Sequence, residues 1–183
     1  MKYILLNLVV AQRTILIKLR LRSLNMQNTP SFGSEYKLKQ KIKWNEERRM
    51  NIAEKYMTDM ELNEPSNPLE INKTEDKLKI KFPEQYKKFL LSHNGAEGSI
   101  GENSYLVIWS IEDIISLNEE YGVFEFTPEI LYFGSDGGDM AYAFDRRNSA
   151  VKIVEIPFES ISVNDAVTLS DDFDDFIKLI YNR

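Results

Sequence analysis

LYFGSDGGDMAYAFD, the stretch from Leu131 to Asp145, gives the clearest indication of the fold. Two short runs rich in aromatic residues, 131–133 and 141–144, flank the turn sequence Gly-Ser-Asp-Gly-Gly-Asp at 134–139. Aromatic residues favour the pleated, half-buried surface of a sheet, and Gly and Asp accept the positive φ values that a tight reversal requires. The stretch therefore predicts a β-hairpin.

Helices are predicted on both sides of this hairpin. A short helix over 69–78 is followed by Pro83, which occupies a favourable first helical position. The next helix carries an apolar stripe at the spacing i, i+3, i+4 and i+7, formed by Tyr86, Phe89, Leu90 and His93. His93, the only histidine of the chain, lies in the last turn before Gly95, where a capping or dipole-facing role is expected rather than catalysis.

Shorter elements complete the pattern. Residues 105–109 form a compact apolar strand after a polar, Gly-rich loop at 96–104, and Ser110 begins a helix. Residues 151–156 form a third strand after the hairpin, and Ser170 is expected to cap a final helix with an apolar stripe. Short strands linked by hairpins, without regular βαβ alternation, indicate an α+β fold.

The chain divides by composition into three parts. Residues 1–49 form a basic extension. Four interpretations are open for it: a signal peptide, a peripheral strand or interfacial segment, a linker, or a start codon assigned too early. Within residues 1–24 the longest uncharged stretch, 3–12, is far shorter than the ~20 residues of a membrane-spanning helix. We favour a dispensable or mis-called extension. Residues 50–68 hold the end of a leading helix, predicted over 46–60, and a linker, and residues 69–183 form the folded domain.

Composition excludes several kinds of site. The chain has no cysteine and one histidine, so thiolate metal sites, disulfides, a cysteine nucleophile and multi-histidine sites are excluded. The net charge of −6 is unevenly distributed: residues 1–57 hold 12 Lys/Arg against 4 Asp/Glu, and residues 58–183 hold 11 against 25. An acidic body repels nucleic-acid phosphates and attracts basic partners.

The order of these landmarks over 69–181 resembles the SUKH superfamily, the Smi/Knr group that includes the yeast cell-wall assembly regulator and many bacterial toxin-immunity proteins. The first matching stretch is LKIKFPEQYKKFL at 78–90, followed by Asn94-Gly95. The second is YFGSDGGD at 132–139, followed by AFD at 143–145. The third is the C-terminal helix sequence DFDDF at 172–176. Phe82 is a mild departure, since the family usually has a small aliphatic residue before the proline.

The resemblance implies an α+β fold with a central antiparallel sheet of about four to six strands and flanking helices. It also implies a binding module rather than an enzyme, without cofactor or metal. Bacterial proteins of this kind bind and neutralise a cognate polymorphic toxin, often a nuclease, so the leading hypothesis is a cytoplasmic immunity protein. Its expected partner is a basic protein toxin, with no direct nucleic-acid binding, no transmembrane segment, and a monomeric or weakly dimeric state. The alternative is a regulatory or scaffold protein of the cell-wall assembly regulator type.

An immunity protein needs an exposed, acidic and partner-specific surface. The candidate partner-binding residues are Glu97, Glu102, Asp136, Asp139, Asp145, Tyr132 and Tyr142. Structural roles remain open for several of them: Asp136 and Asp139 can shape the turn, and Asp145 can close a strand. An enzyme would use Asp136 and Asp139 as a pair of carboxylates, but the sequence supplies no nucleophile–base pair and no calcium-loop spacing.

Overall fold

The computed structural model describes residues 52–148 and 150–183. Met50–Arg183 forms one compact unit by itself. The predicted extension over 1–49, and the part of the leading helix before residue 52, lie outside the described residues. No helix among the described residues has both the length and the apolar character needed to cross a bilayer.

Helices and strands alternate irregularly along the described part of the chain. The helices are α1 (Ile52–Tyr56), α2 (Pro68–Leu78), α3 (Glu84–Ser92), α4 (Ile114–Glu120), α5 (Val123–Phe126), α6 (Phe173–Tyr181) and a 3-10 helix (Val163–Asp165). The strands are β1 (Glu61–Leu62), β2 (Ala96–Ile100), β3 (Ser104–Ile108), β4 (Ile130–Ser135), β5 (Met140–Asp145), β6 (Lys152–Pro157) and β7 (Val167–Ser170). The fold is α+β, as predicted.

The strands form one antiparallel sheet in which their order in space follows their order in the chain, β1 to β7. Seven strands exceed the predicted four to six. The main error is β2, whose sequence Ala-Glu-Gly-Ser-Ile was assigned to a polar loop. All five of its residues pair with β3, and Ala96 and Ile100 are buried, so tertiary pairing overrides its weak strand propensity.

The predicted hairpin is confirmed as β4 and β5. Leu131 lies opposite Phe144, and the register shifts between Tyr132 and Gly134, which marks a β-bulge. A Cβ atom at Gly134 would lie 2.2 Å from the carbonyl oxygen of Val107 on β3. Glycine is therefore required here by the close approach of a neighbouring strand.

Helices cover the first face of the sheet. Phe133 and Phe144 stack with ring centroids 4.4 Å apart, and the ring of Tyr86 on α3 lies 5.0 Å from Phe144 and 5.6 Å from Phe133. The predicted apolar stripe of α6 and three of the four residues predicted for α3 are buried in this cluster, whereas His93, the fourth, is the C-cap just beyond α3 and is only partly buried. The buried residues are Tyr86, Phe89 and Leu90 on α3, and Phe173, Phe176, Ile177 and Ile180 on α6.

The elements within 52–148 and 150–183 cover the second face of the sheet only in part. A smaller buried cluster joins Val123 of α5 to the second-face residues of β4, β5 and β6, and Phe158, Val163 and Ala166 pack against its edge. On β2 and β3, by contrast, Glu97 and Tyr105 are exposed on this face. The uncovered area over β2 and β3 is where the candidate site lies.

Candidate functional site

An open groove of about 700 Å³ lies over the uncovered part of the second face. Successive side chains of β3 and the residue after it point to opposite faces of the sheet, which explains the floor of the groove. Leu106 and Ile108 are buried in the helical core, whereas Tyr105, Val107 and Trp109 line the groove. We call this feature the acidic-aromatic groove. It is lined by Glu97, Tyr105, Val107, Trp109, Tyr121, Phe158 and the hairpin tip 135–138.

Glu97 and Tyr105 form the outer end of the groove. The Tyr105 hydroxyl donates a hydrogen bond to Glu97 Oε1 at 2.9 Å. This bond raises the pKa of Tyr105, and the charges of Glu97 and Glu61 add to the effect. Glu61 on β1 lies directly opposite Glu97 in the register, so two carboxylates are neighbours at this edge.

The tip of the β4–β5 hairpin forms one wall of the groove. Asp136 Oδ1 accepts hydrogen bonds from the main-chain N–H of Gly138 at 2.8 Å and of Met140 at 3.1 Å, which shapes the turn. Gly137 has φ +77°, and a Cβ atom there would lie 2.6 Å from Cδ1 of Tyr105. The tip therefore packs closely on the Tyr105 ring, and Gly137 permits both the turn and the contact.

Three aromatic rings form the inner wall. The rings of Trp109 and Tyr121 are nearly parallel, at 5° with centroids 6.1 Å apart, and Tyr121 stacks on Phe158 at 4.4 Å. Tyr132 lies beneath them, with its ring 5.7 Å from Phe158. The N–H of Phe158 donates to the carbonyl of Asp139 at 2.9 Å, which ties this wall to the hairpin.

Asn118 holds the segment that carries Tyr121 against the sheet. β3 pairs only with the last two residues of β4, and α4 lies beside the first half of β4. The Asn118 side chain is fully buried, donates to the carbonyl of Tyr132 at 2.8 Å and accepts from the N–H of Tyr132 at 2.9 Å. It thus pairs with Tyr132 as a neighbouring strand would.

The groove has an acidic environment. No Lys or Arg occurs between Lys88 and Arg146, a stretch that includes 11 Asp/Glu and most of the groove. Within 52–148 and 150–183, the lining residues include Glu97 and Asp136 but no cation. Arg183 is near enough to Asp136 for their charges to interact, but its guanidinium is already paired with Glu155 at 2.8 Å.

The structure brings two of the predicted residues, Glu97 and Asp136, together in the groove. Asp139 is exposed on the same hairpin, next to the tip. Glu102 is exposed at the opposite end of the β2–β3 hairpin, in a separate small depression beside Tyr181. Glu102 is therefore not part of the groove.

Three predicted residues are buried and do not belong to an exposed surface. Tyr132 is 1% exposed beneath the aromatic wall. Tyr142 is 2% exposed, its ring lies 4.9 Å from Phe176, and burial raises its pKa to about 12. Asp145 is 4% exposed and accepts from the Arg147 guanidinium, with Nη2 to Oδ2 at 2.7 Å. Their positions within a tightly paired hairpin explain the burial, and we remove them from the candidate surface.

Sequence reasoning missed most of the aromatic lining. Tyr105, Val107 and Trp109 alternate with core residues, so a period of two would have placed them on one face. Tyr121 and Phe158 come from a helix end and a strand end that are distant in sequence. No local pattern in the sequence brings those two rings together.

The described side chains of the groove allow stacking, ion-pair and hydrogen-bond contacts. These side chains include exposed rings and carboxylates, and His93 lies outside the lining, with its ring 6.1 Å from Phe89. Across 52–148 and 150–183, no group of three or more His, Cys, Asp or Glu side chains is placed to hold a metal ion. The groove residues could therefore contact a protein partner through stacking, ion pairs and hydrogen bonds.

Comparison with known proteins identifies the family. The model of the SMI1 / KNR4 family (SUKH-1) matches residues 65–179, which include every groove residue. The chain is also similar to the uncharacterized protein YnaB of Bacillus subtilis (strain 168), with 46% identity over 56 residues. That alignment covers 31% of this chain and 36% of the relative, so the chain spans only about a third of the relative's length. On the strength of the family match, which extends over more than half of its length, the chain belongs to the SMI1 / KNR4 family (SUKH-1).

Proposed function

We propose that this protein is a non-catalytic immunity protein that binds and neutralises a cognate bacterial toxin through the acidic-aromatic groove. The observation that carries the proposal is the groove itself: exposed aromatic rings beside Glu97 and Asp136, in a stretch of chain without Lys or Arg. The expected partner is a basic protein, such as a nuclease, and the expected location is the cytoplasm.

Charge supports this choice of partner. A nuclease presents a basic surface to the phosphates of its substrate, and carboxylates on a competing protein can occupy that surface. Opposite charge also speeds encounter and discriminates against acidic partners. The same acidity disfavours direct binding of nucleic acid by this chain.

The aromatic wall supports binding rather than solvation alone. Tyr121 is 44% exposed and Tyr105 is 40% exposed, although each ring is large and apolar. Tyrosine and tryptophan are enriched among the residues that dominate interface energies, because they bury much area at a small entropic cost. Rings held in place by stacking lose little further freedom on binding.

The test combines capture with a growth assay. The tagged full-length chain is used to capture proteins from a lysate of its own organism, and each captured protein is then expressed with and without the chain. The proposal expects one captured protein to arrest growth and the wild-type chain to restore it. Restoration should be lost in Glu97→Lys and kept in Glu102→Lys, a matched reversal of an exposed acid outside the groove.

Two outcomes contradict the proposal. If the captured partner has no toxic activity, the regulatory or scaffold alternative replaces neutralisation. If Glu97→Lys restores growth as well as the wild-type chain does, neutralisation does not depend on the groove.

A further inference from the structure

We propose that the acidic-aromatic groove receives an arginine side chain of the partner, with the guanidinium stacked on the exposed rings and hydrogen-bonded to Glu97 and Asp136. This inference rests on the proposed function, because it names the chemistry by which the same groove recognises its partner. It commits to one occupant, an arginine on an exposed loop of a basic protein.

Each groove carboxylate has one oxygen engaged and one available. Glu97 Oε1 accepts from the Tyr105 hydroxyl, and Asp136 Oδ1 accepts from two main-chain N–H groups of the hairpin. Among the residues that the structure describes, neither Glu97 Oε2 nor Asp136 Oδ2 has a hydrogen-bond partner. The hydrogen bonds to the engaged oxygens orient both carboxylates. The second oxygen of Glu97 is then an available acceptor at the outer end of the groove, and that of Asp136 is one at the hairpin tip.

The aromatic rings that line the same groove offer flat surfaces for a cation. Trp109 and Tyr121 are nearly parallel, and Tyr105 and Tyr121 are each at least 40% exposed. The electron-rich face of an indole or phenol attracts a cation lying over it. Among the residues that the structure describes, no Lys or Arg lines the groove, and Arg183, whose charge interacts with Asp136, is paired with Glu155.

Arginine fits this combination better than lysine does. A guanidinium is planar, so it can stack on a ring with its face and donate to carboxylates with its edge at the same time. It is also less strongly hydrated than an ammonium group, and its transfer into a half-enclosed groove is easier. An anionic side chain would be repelled by the two carboxylates, and a neutral donor would form weaker hydrogen bonds that are not assisted by charge.

The test is an NMR titration of the isotope-labelled full-length chain with N-acetyl-arginine amide. The matched probes are the lysine amide and the citrulline amide, the second of which is a neutral isostere of arginine. We expect saturable shifts at the Trp109 indole and the Gly137 amide, with arginine binding about threefold to tenfold more tightly than lysine. Citrulline should cause no saturable shift.

Variants of groove residues test whether the arginine amide binds in the groove. Tyr121→Leu and Glu97→Gln should each weaken arginine binding about threefold to tenfold, while Glu102→Gln should leave it unchanged. The spectra of the variants report directly whether each remains folded. Two independent groove variants are used, so the test still holds if one of them does not fold. The inference is overturned if arginine causes no shift at Trp109 up to about 50 mM, or if citrulline or lysine acts equally.

The failures of the two proposals can be told apart. If the arginine amide does not bind but the chain still neutralises a toxin through Glu97, the arginine inference fails and the proposed function stands. If the amide binds in the groove but no captured partner is toxic, neutralisation fails and arginine recognition stands.

Discussion

Asn118 joins the helical layer to the sheet through one side chain. Its amide donates to the carbonyl of Ile114 at 2.7 Å and pairs with both main-chain groups of Tyr132. These partners are buried, so no solvent replaces the bonds if the amide is removed. The position of Tyr121, and with it one wall of the groove, depends on this attachment.

We expect Asn118→Ala to destabilise the protein by about 2–6 kcal/mol, because two buried main-chain groups would lose their partners at about 1–3 kcal/mol each. Asn182→Ala is the matched control, since Asn182 makes the same kind of bond to a carbonyl four residues back but is exposed. Its cost should stay within about 0.5 kcal/mol. Urea unfolding curves measure both, and equal losses would show that Asn118 is not a structural link.

Asp145 makes stability depend on pH. The Arg147 guanidinium holds the pKa of this carboxyl below its usual value of 3.8, against the opposing effect of burial. Because the folded pKa lies below the unfolded one, the stabilisation is present above pH 3.8 and is lost as the pH falls through the folded pKa. Asp145→Asn should therefore reduce the loss of stability below about pH 4, measured by thermal unfolding across that range. Identical pH profiles for the two proteins would contradict this role.

At the scale of elements, the β4–β5 hairpin carries three glycines with different requirements. Gly134 is needed for the approach of β3, and Gly137 for a positive φ and for contact with Tyr105. Gly138 is under neither constraint, since a Cβ atom there would meet its nearest neighbour, Asp136 Oδ1, at 3.4 Å.

The adjacent glycines provide a matched pair of variants. Gly137→Ala should cost about 1–3 kcal/mol, because alanine is strained at φ +77° and its methyl group would displace the Tyr105 ring. Gly138→Ala should change the free energy of unfolding by no more than about 0.5 kcal/mol. Thermal unfolding of the two variants measures the difference, and equal stabilities would show that the tip is not held as described.

Elements with a strong local pattern could be predicted from the sequence, and elements created by tertiary pairing could not. The hairpin, α3 and α6 each have a clear apolar or turn pattern. β1 has two residues, and β2 contains Gly98 among polar neighbours, so their strand character comes from pairing. The prediction that Ser170 is the N-cap of α6 was also wrong. The N-cap is Asp172, whose Oδ1 accepts from the N–H of Asp175. Several residues near the start were capable of capping, and only the backbone geometry distinguishes them.

At the scale of the whole molecule, the two faces of the sheet have different roles, one in stability and one in the candidate site. Helices and large aromatic residues on the first face supply the core. The second face is left partly uncovered within a stretch free of Lys and Arg. The acidity of the body, with Glu97 and Asp136, could be predicted from composition and motif. The groove could not, because Tyr105, Tyr121 and Phe158 meet only after the sheet has formed.

The central claim is that the partner binds over β2 and β3 on the uncovered face. A cross-saturation NMR experiment on the complex of the full-length chain with its captured partner tests it most directly, since it reports which residues face the partner. We predict intensity losses at Glu97, Tyr105, Trp109, Tyr121 and the tip 136–138. Losses confined to α1, α2, α3 and α6, or to the depression around Glu102, would contradict the account.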